Sequence, residues 1–244
     1  MVQPVGMQTV DLLGRLLYRD GLMLVIDKPT GWAVHGPSHT QKNLEPLFSA
    51  LRFGLPRSPA LAHRLDRGTS GCLVLGRHPK ALRRLSRLFS THAVEKRYWA
   101  MVWGRPPEDQ GTVAEPLSQV AQSDTGITMA VDPQGQPALT HYRILGQTQE
   151  ISLLELIPVT GRTHQLRVHC QSLHCPIVGD YRYGQDKNGN LCLHSRLIAL
   201  PLYPHRPPIT VVATPPPHMI KWLHSLPNRA QILDGDPQMT RDIQ

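Results

Sequence analysis

Apolar positions along this chain fall into short blocks rather than long helical stripes. Leu16 and Leu17 precede a polar Tyr18-Arg19-Asp20-Gly21 turn, and Leu22-Met23-Leu24-Val25-Ile26 is then an unbroken apolar run of strand length. Asp27-Lys28-Pro29-Thr30-Gly31 is expected to end that strand, because Pro29 has no amide donor and Gly31 tolerates a positive φ. Cys72-Leu73-Val74-Leu75 predicts a second strand, after a turn at Gly68 to Gly71. Lys96 to Trp103 alternates and carries β-formers, so a strand is expected to end at Gly104. Leu139–Leu145, Ile151–Ile157 and Ile209–Val212 read as further strands. Two stretches read as helices. Pro79 to Ser90 sets Leu82, Leu85, Leu88 and Phe89 on one stripe, with Arg83, Arg84 and Arg87 on the other side. Pro79 stands in the first turn, where a helix tolerates proline. Thr163 to Leu173 is the second, opened by a Thr-Gly-Arg-Thr turn.

Residues 105–137 are rich in Pro, Gly, Gln and Asp and predict exposed loops with hairpin-like pieces. The segment after Pro227 has no apolar pattern and is expected to fray. Many strands, few helices and no alternating βαβ order predict an α+β domain on a mainly antiparallel mixed sheet with flanking helices and loops. The expected division is a short leader (1–15), one catalytic-size domain (16–226) and a tail (227–244).

Composition adds a partner to this picture. The 244-residue chain carries a net charge of +8. Arg outnumbers Lys by 20 to 6. The planar guanidinium pairs with phosphate and stacks on bases, so the bias suits a nucleic acid; a GC-rich genome would produce it as well. Cys72, Cys170, Cys175 and Cys192 are too few and scattered for a disulfide framework. His164, His169 and His174 recur every five residues, which is not the three- or four-residue spacing of ligands on one helical face. No metal is expected. The apolar runs are too short to cross a bilayer and the first residues do not form a secretory signal, so a cytoplasmic location is the default expectation.

The most informative segment is His63-Arg64-Leu65-Asp66-Arg67-Gly68-Thr69-Ser70-Gly71. One acid stands between two arginines in a loop closed by two glycines and two hydroxyl residues. Flanking positive charge favours the ionised carboxylate, the form a reactive aspartate needs, and the glycines are expected to let a substrate backbone approach. The structural alternative is a turn ion pair of Asp66 with Arg64 or Arg67. Thr160-Gly161-Arg162-Thr163-His164-Gln165-Leu166-Arg167-Val168-His169 follows a buried strand and opens a helix, whose amides could receive an anion; an ordinary capped helix is the alternative. In Glu95-Lys96-Arg97-Tyr98-Trp99-Ala100, Tyr98 could face a cleft or the core.

In this order, with Leu24-Val25-Ile26-Asp27-Lys28-Pro29-Thr30-Gly31 ahead of them, the segments resemble the RluA-type family of pseudouridine synthases. The resemblance runs from about residue 16 to about residue 214. The stretch from Ile177 to Gly184 and Leu193-His194-Ser195 also look like family counterparts. The resemblance implies that Asp66 is the catalytic aspartate, that Tyr98 packs the target base and helps remove its C5 proton, and that Arg167 pairs with the aspartate. It also implies that Leu166 touches the base and that Arg64 fills the space left by a flipped nucleotide. His63, Arg67 and Arg162, within the same two motifs, are assigned to substrate binding. No cofactor or metal is implied.

The implied reaction breaks the N1–C1′ bond of uridine, turns the uracil and joins C5 to C1′. A carboxylate can assist by adding to C6, by capturing C1′ or by helping to form a glycal, and the sequence does not choose among them. The implied substrate is transfer RNA, large-subunit ribosomal RNA, or both. About fifteen residues precede the first expected strand, so a compact monomeric member without the family's N-terminal RNA-binding module is expected, with no membrane and no obligate protein partner. The rival readings are a catalytically silent RNA-binding protein and an enzyme acting on a small nucleoside.

Overall fold

The computed structural model describes residues 10–36, 42–123, 126–186 and 189–234. In chain order its strands begin with Leu16–Arg19 (β1), Met23–Lys28 (β2), Ala60–Leu61 (β3), Ser70–Gly76 (β4), Glu95–Trp103 (β5) and Gln110–Val113 (β6). Leu117–Ser123 (β7), Gly126–Val131 (β8), Thr140–Gln147 (β9), Ile151–Pro158 (β10), Leu193–Leu200 (β11) and Ile209–Val212 (β12) follow. The helices are Pro79–Ser90 (α1), Gln165–Ser172 (α2), Pro217–Leu223 (α3) and Arg229–Asp234 (α4), with a 3-10 turn over Glu45–Leu51.

Ten strands form one sheet in the order β1-β2-β4-β11-β5-β10-β9-β6, with β3 added on β4 and β12 on β11. Only β4 and β11 run parallel among these pairs; the rest are antiparallel. This is the α+β class and the mixed, mainly antiparallel sheet expected from the pattern. The apolar runs of β2 and β4 are unbroken because both faces are covered. Leu24, Ile26, Leu73 and Leu75 enter one core cluster, and Met23, Val25, Cys72 and Val74 enter another. Helix α1 covers the second cluster with Leu85, its N-terminus closed by His78, whose Nδ1 accepts from the Ala81 amide at 3.2 Å.

The structure refines the local expectations. Tyr18 and Arg19 pair with Val25 and Leu24 inside β1, and the turn begins at Asp20, whose Oδ1 accepts the Leu22 and Met23 amides at 2.7 and 2.8 Å. β2 runs on through Asp27 and Lys28, pairing with Cys72 and Gly71, so Pro29 ends it two residues later than the apolar run suggests. Residues 105–137 hold β6, on the main sheet, and a β7–β8 hairpin standing apart from it. Residues 229–234 form α4 where a frayed tail was expected, with Asn228 Nδ2 donating to the Leu145 carbonyl at 2.8 Å and Ile232 packed against the core. The remainder of the expected tail, 235–244, and of the leader, 1–9, lies outside the described residues; Leu12 in the leader is buried.

Candidate active site

Asp66 sits in the loop between β3 and β4, its side chain 29% exposed. The loop is tied at several points. The Thr69 amide donates to the Asp66 carbonyl (3.1 Å), Thr30 Oγ1 donates to the Gly68 carbonyl (2.7 Å), and Arg67 Nε donates to the Gly31 carbonyl (3.0 Å). Lys28 lies fully buried beneath it, its Nζ donating to the carbonyls of Pro29 (2.9 Å) and Arg67 (3.1 Å). Burial pulls this lysine down to about 7, against the pull of Asp66 and Asp27 and with help from Arg67.

The motif's flanking residues serve the fold more than the ligand. His63 Nε2 accepts from the Val74 amide at 3.0 Å, and its ring stacks on Phe89 at 4.4 Å. Burial lowers it to about 3, so it is a neutral acceptor that anchors the loop to β4 rather than a group presented to substrate. Gly71 has φ +102°, and a Cβ there would press on the Ser195 backbone, 2.9 Å from its nitrogen. A Cβ at Gly68 would meet Leu191 at 3.2 Å. The glycines therefore admit neighbouring protein, not a substrate backbone as the sequence suggested.

The turn ion pair is not formed. The basic groups within 4 Å of Asp66 come from α2 and its N-terminal turn: Arg167 Nη1 at 3.8 Å and His164 Nε2 at 3.9 Å, both toward Oδ2. Arg167 is itself buried and held by Asp180, with Nε to Oδ2 and Nη2 to Oδ1 both at 2.7 Å. Asp180 is fully buried and also accepts the amides of Arg182 (3.0 Å) and Tyr183 (3.1 Å). The Tyr183 ring lies 4.8 Å from the Arg167 guanidinium.

Tyr98, on β5, is buried, and its hydroxyl is hydrogen-bonded to Ser195 of β11. Burial raises it well above the usual phenol range despite that bond, and the charge of Asp66 acts in the same direction. Leu166 is almost fully buried beside Arg167 on α2. Arg64 and Arg162 are exposed; Arg162 Nε donates to the Pro137 carbonyl at 3.0 Å. Gln165 Oε1 accepts Thr160 Oγ1 (2.7 Å) and the Arg162 amide (3.0 Å). These bonds tie the turn ahead of α2, while the helix itself carries no side-chain cap.

The fold thus brings Asp66 and Arg167 together with Tyr98 nearby, places Leu166 next to Arg167 on α2, leaves Arg64 and Arg67 exposed on the same loop, and ties His63 to β4. Sequence reasoning assigned no role to Lys28, His164, Asp180 or Tyr183, although all four lie within the segments it singled out. Among the described residues no group of three or more His, Cys, Asp or Glu side chains is placed to hold a metal ion. No helix among them is long and apolar enough to cross a membrane.

The family model for RNA pseudouridylate synthase matches residues 22–172, which contain the Asp66 loop, Tyr98 and Arg167. An uncharacterized RNA pseudouridine synthase of Zymomonas mobilis is 43% identical over 74% of this chain and 83% of its own length. A ribosomal large subunit pseudouridine synthase C of Rickettsia bellii is 38% identical over 70% of this chain, which spans only 57% of that relative. Against a mitochondrial RNA pseudouridine synthase 3 of Arabidopsis thaliana the matched share of the relative is 40%. The solved structure of human RNA pseudouridylate synthase domain containing 4 superposes with a TM-score of 0.74 at 28% identity, covering 87% of this chain and 93% of that one. On the match of motifs, fold and relatives together, this chain belongs to the RNA pseudouridylate synthase family, of the RluA type, and is an isomerase acting on RNA.

Proposed function

We propose that Asp66 is the catalytic carboxylate with which this chain converts uridines of structured RNA to pseudouridine. The observation that carries the reading is convergence. A single partly exposed acid is met by Arg167 from α2 and by His164 from the turn before it, with buried Lys28 beneath the loop. Such a setting presents a carboxylate to the uridine, whichever of C6 addition, C1′ capture or glycal formation it assists.

In this reading Arg167 pairs with the aspartate, Leu166 and Tyr98 pack the extruded uracil, and exposed Arg64 enters the space it leaves in the stack. Tyr98 is held as the neutral phenol. As a neutral phenol it packs the ring and does not itself take the C5 proton. Arg67 and Arg162 meet phosphates near the loop. The atoms balance without a co-reactant: the N1–C1′ bond breaks, the C5–C1′ bond forms, C5 loses a proton and N1 gains one. The family's chemistry requires no cofactor.

The target is RNA of the transfer or large-subunit ribosomal class, read through loops and unstacked bases, and the β7–β8 hairpin and its neighbours within 105–137 help to select it. The enzyme works as a cytoplasmic monomer without an obligate protein partner. Pseudouridine mapping on total RNA from cells with and without the gene tests this. Sites that vanish on deletion and return with wild type but not with Asp66→Ala are the expected result. Sites that return with Asp66→Ala would overturn the role of Asp66.

A further inference from the structure

How the Asp66 carboxylate is aimed follows from its second neighbour, His164, and the inference rests on the catalytic role given to Asp66 above. Arg167 commits Nε and Nη2 to Asp180 and reaches Asp66 with Nη1 alone, at 3.8 Å. That is longer than a hydrogen bond, and with its other two nitrogens committed to Asp180 Arg167 is little free to close on the carboxylate. His164 Nε2 approaches the same oxygen at 3.9 Å. Its backbone is left-handed, with φ +53°, and its carbonyl accepts the amides of Arg167 and Val168, each at 3.0 Å. A non-glycine residue is uncommon there, and it persists where the surroundings hold it.

The ring is held from behind. Nδ1 shares a 2.7 Å hydrogen bond with the Tyr183 hydroxyl, and that hydroxyl accepts the Met129 amide of β8 at 2.9 Å. With its oxygen engaged by the amide, the hydroxyl directs its own proton to Nδ1. A neutral imidazole accepting at Nδ1 carries its proton on Nε2, the nitrogen facing Asp66. Burial favours the neutral ring, opposed by Asp66 and Asp180 and reinforced by Arg167 and Arg182. Arg182 also anchors the hairpin, its Nη1 donating to Thr128 Oγ1 at 2.6 Å.

We propose that His164 is a positioning residue for Asp66, donating from Nε2 to Oδ2 once substrate closes the site, and that Tyr183, seated against the β7–β8 hairpin, sets the tautomer that makes this possible. Oδ1 is then the oxygen offered to the uridine. Distances of this kind tighten when a site fills, as catalytic hydrogen bonds do.

The test is single-turnover kinetics and RNA affinity for four variants. His164→Asn suits a left-handed backbone and removes the Nε2 donor, whereas the amide of His164→Gln reaches about as far as Nε2. His164→Asn should lower the rate constant roughly tenfold to a hundredfold. RNA affinity should stay within about twofold, the mark of an interaction made at the transition state. His164→Gln should recover most of the loss. Tyr183→Phe should slow the wild type but add nothing in the His164→Asn background, because the two act as one unit. An unchanged rate in His164→Asn, a loss confined to affinity, or a Tyr183→Phe effect equal in both backgrounds would overturn the proposal. Should Tyr183→Phe fail to fold, the Asn-against-Gln comparison decides alone. Asp66→Ala runs beside them: activity there would sink the role of Asp66 itself, whereas silence there with a fully active His164→Asn would sink only this inference.

Discussion

Asp180→Asn is the substitution that best tests how the site is built. Its carboxylate is fully buried and takes four donors: two from Arg167, each at 2.7 Å, and the amides of Arg182 and Tyr183 at 3.0 and 3.1 Å. An asparagine of the same shape keeps its oxygen at the Oδ1 position for three of them. At the Oδ2 position an N–H then faces the N–H of Arg167 Nε. One charge-assisted bond is reversed and a guanidinium 7% exposed loses its compensating charge. Breaking such a buried pair costs about 3–5 kcal/mol. The charge of Asp66, 3.8 Å from Nη1, remains nearby, so the lower end of that range, about 3 kcal/mol, applies. For a domain of this size that corresponds to a melting temperature roughly 10 °C lower. Thermal melts at low and high salt make the measurement, and the loss should persist at high salt, because a buried pair is little screened. A melting temperature within about 2 °C of wild type would mean that Arg167 is not held by Asp180. The account of how Arg167 reaches Asp66 would then fall with it.

Three further outcomes follow from other parts of the fold. His194 and His63 are held by burial at about 4 and about 3, below the ordinary 6.5, so as pH falls from 6.5 the unfolded chain takes up protons that the folded one refuses. Stability is therefore lost on acidification, by about 2 kcal/mol for each group between pH 6.5 and about pH 5; urea midpoints that stay flat over that window would refute it. Gly71→Ala drives a Cβ into the Ser195 backbone at φ +102° and should cost more than about 3 kcal/mol, read as loss of soluble protein or of the cooperative melt. RNA affinity should fall roughly 20- to 40-fold as salt rises from about 50 to 200 mM, if about three phosphates are neutralised, and a salt-insensitive Kd would contradict a basic binding face.

What could be read from the chain depended on whether burial left a pattern in it. Helix α1 was legible to its end residues because Pro79 marks the first turn and one leucine stripe faces β4. β2, β4 and β10 were legible because two-sided burial makes them continuous apolar runs. β11 was not, although it lies between β4 and β5 in the middle of the sheet. It opens Leu193-His194-Ser195-Arg196, three polar residues that look like a loop but are buried. His194 is satisfied by Ser70 Oγ and the Ala213 carbonyl, both 2.9 Å from its ring, and Arg196 donates to that same carbonyl. Hydrogen bonding across some 120 residues of chain removes the cost of their polarity, and no local periodicity records it. Lys28 and His164 escaped assignment for a similar reason. A lysine at a strand end and a histidine before a helix are ordinary by type, and only the third dimension puts both beside Asp66.

The polar centre of the sheet also explains why the two motifs work as one site. In register, Ser195 of β11 stands opposite Gly71 of β4 on one side and opposite Tyr98 of β5 on the other. The strand that leaves the Asp66 loop and the strand that carries Tyr98 are therefore separated by one strand, about 10 Å in all. Gly71 has no side chain because the Ser195 backbone occupies that space, and the Ser195 side chain is free to hold the Tyr98 hydroxyl. Slipping β11 by one residue would bring Arg196 or His194 to the Tyr98 position and break the bond that holds the phenol. Helix α2 then needs only to place Arg167 over this seam, which Asp180 and the turn at His164 accomplish. The geometry around Asp66 is thus set by β-sheet register and one buried ion pair, so, with Asp66 in the role proposed above, substitutions that disturb either should lower the rate without touching any residue that meets RNA.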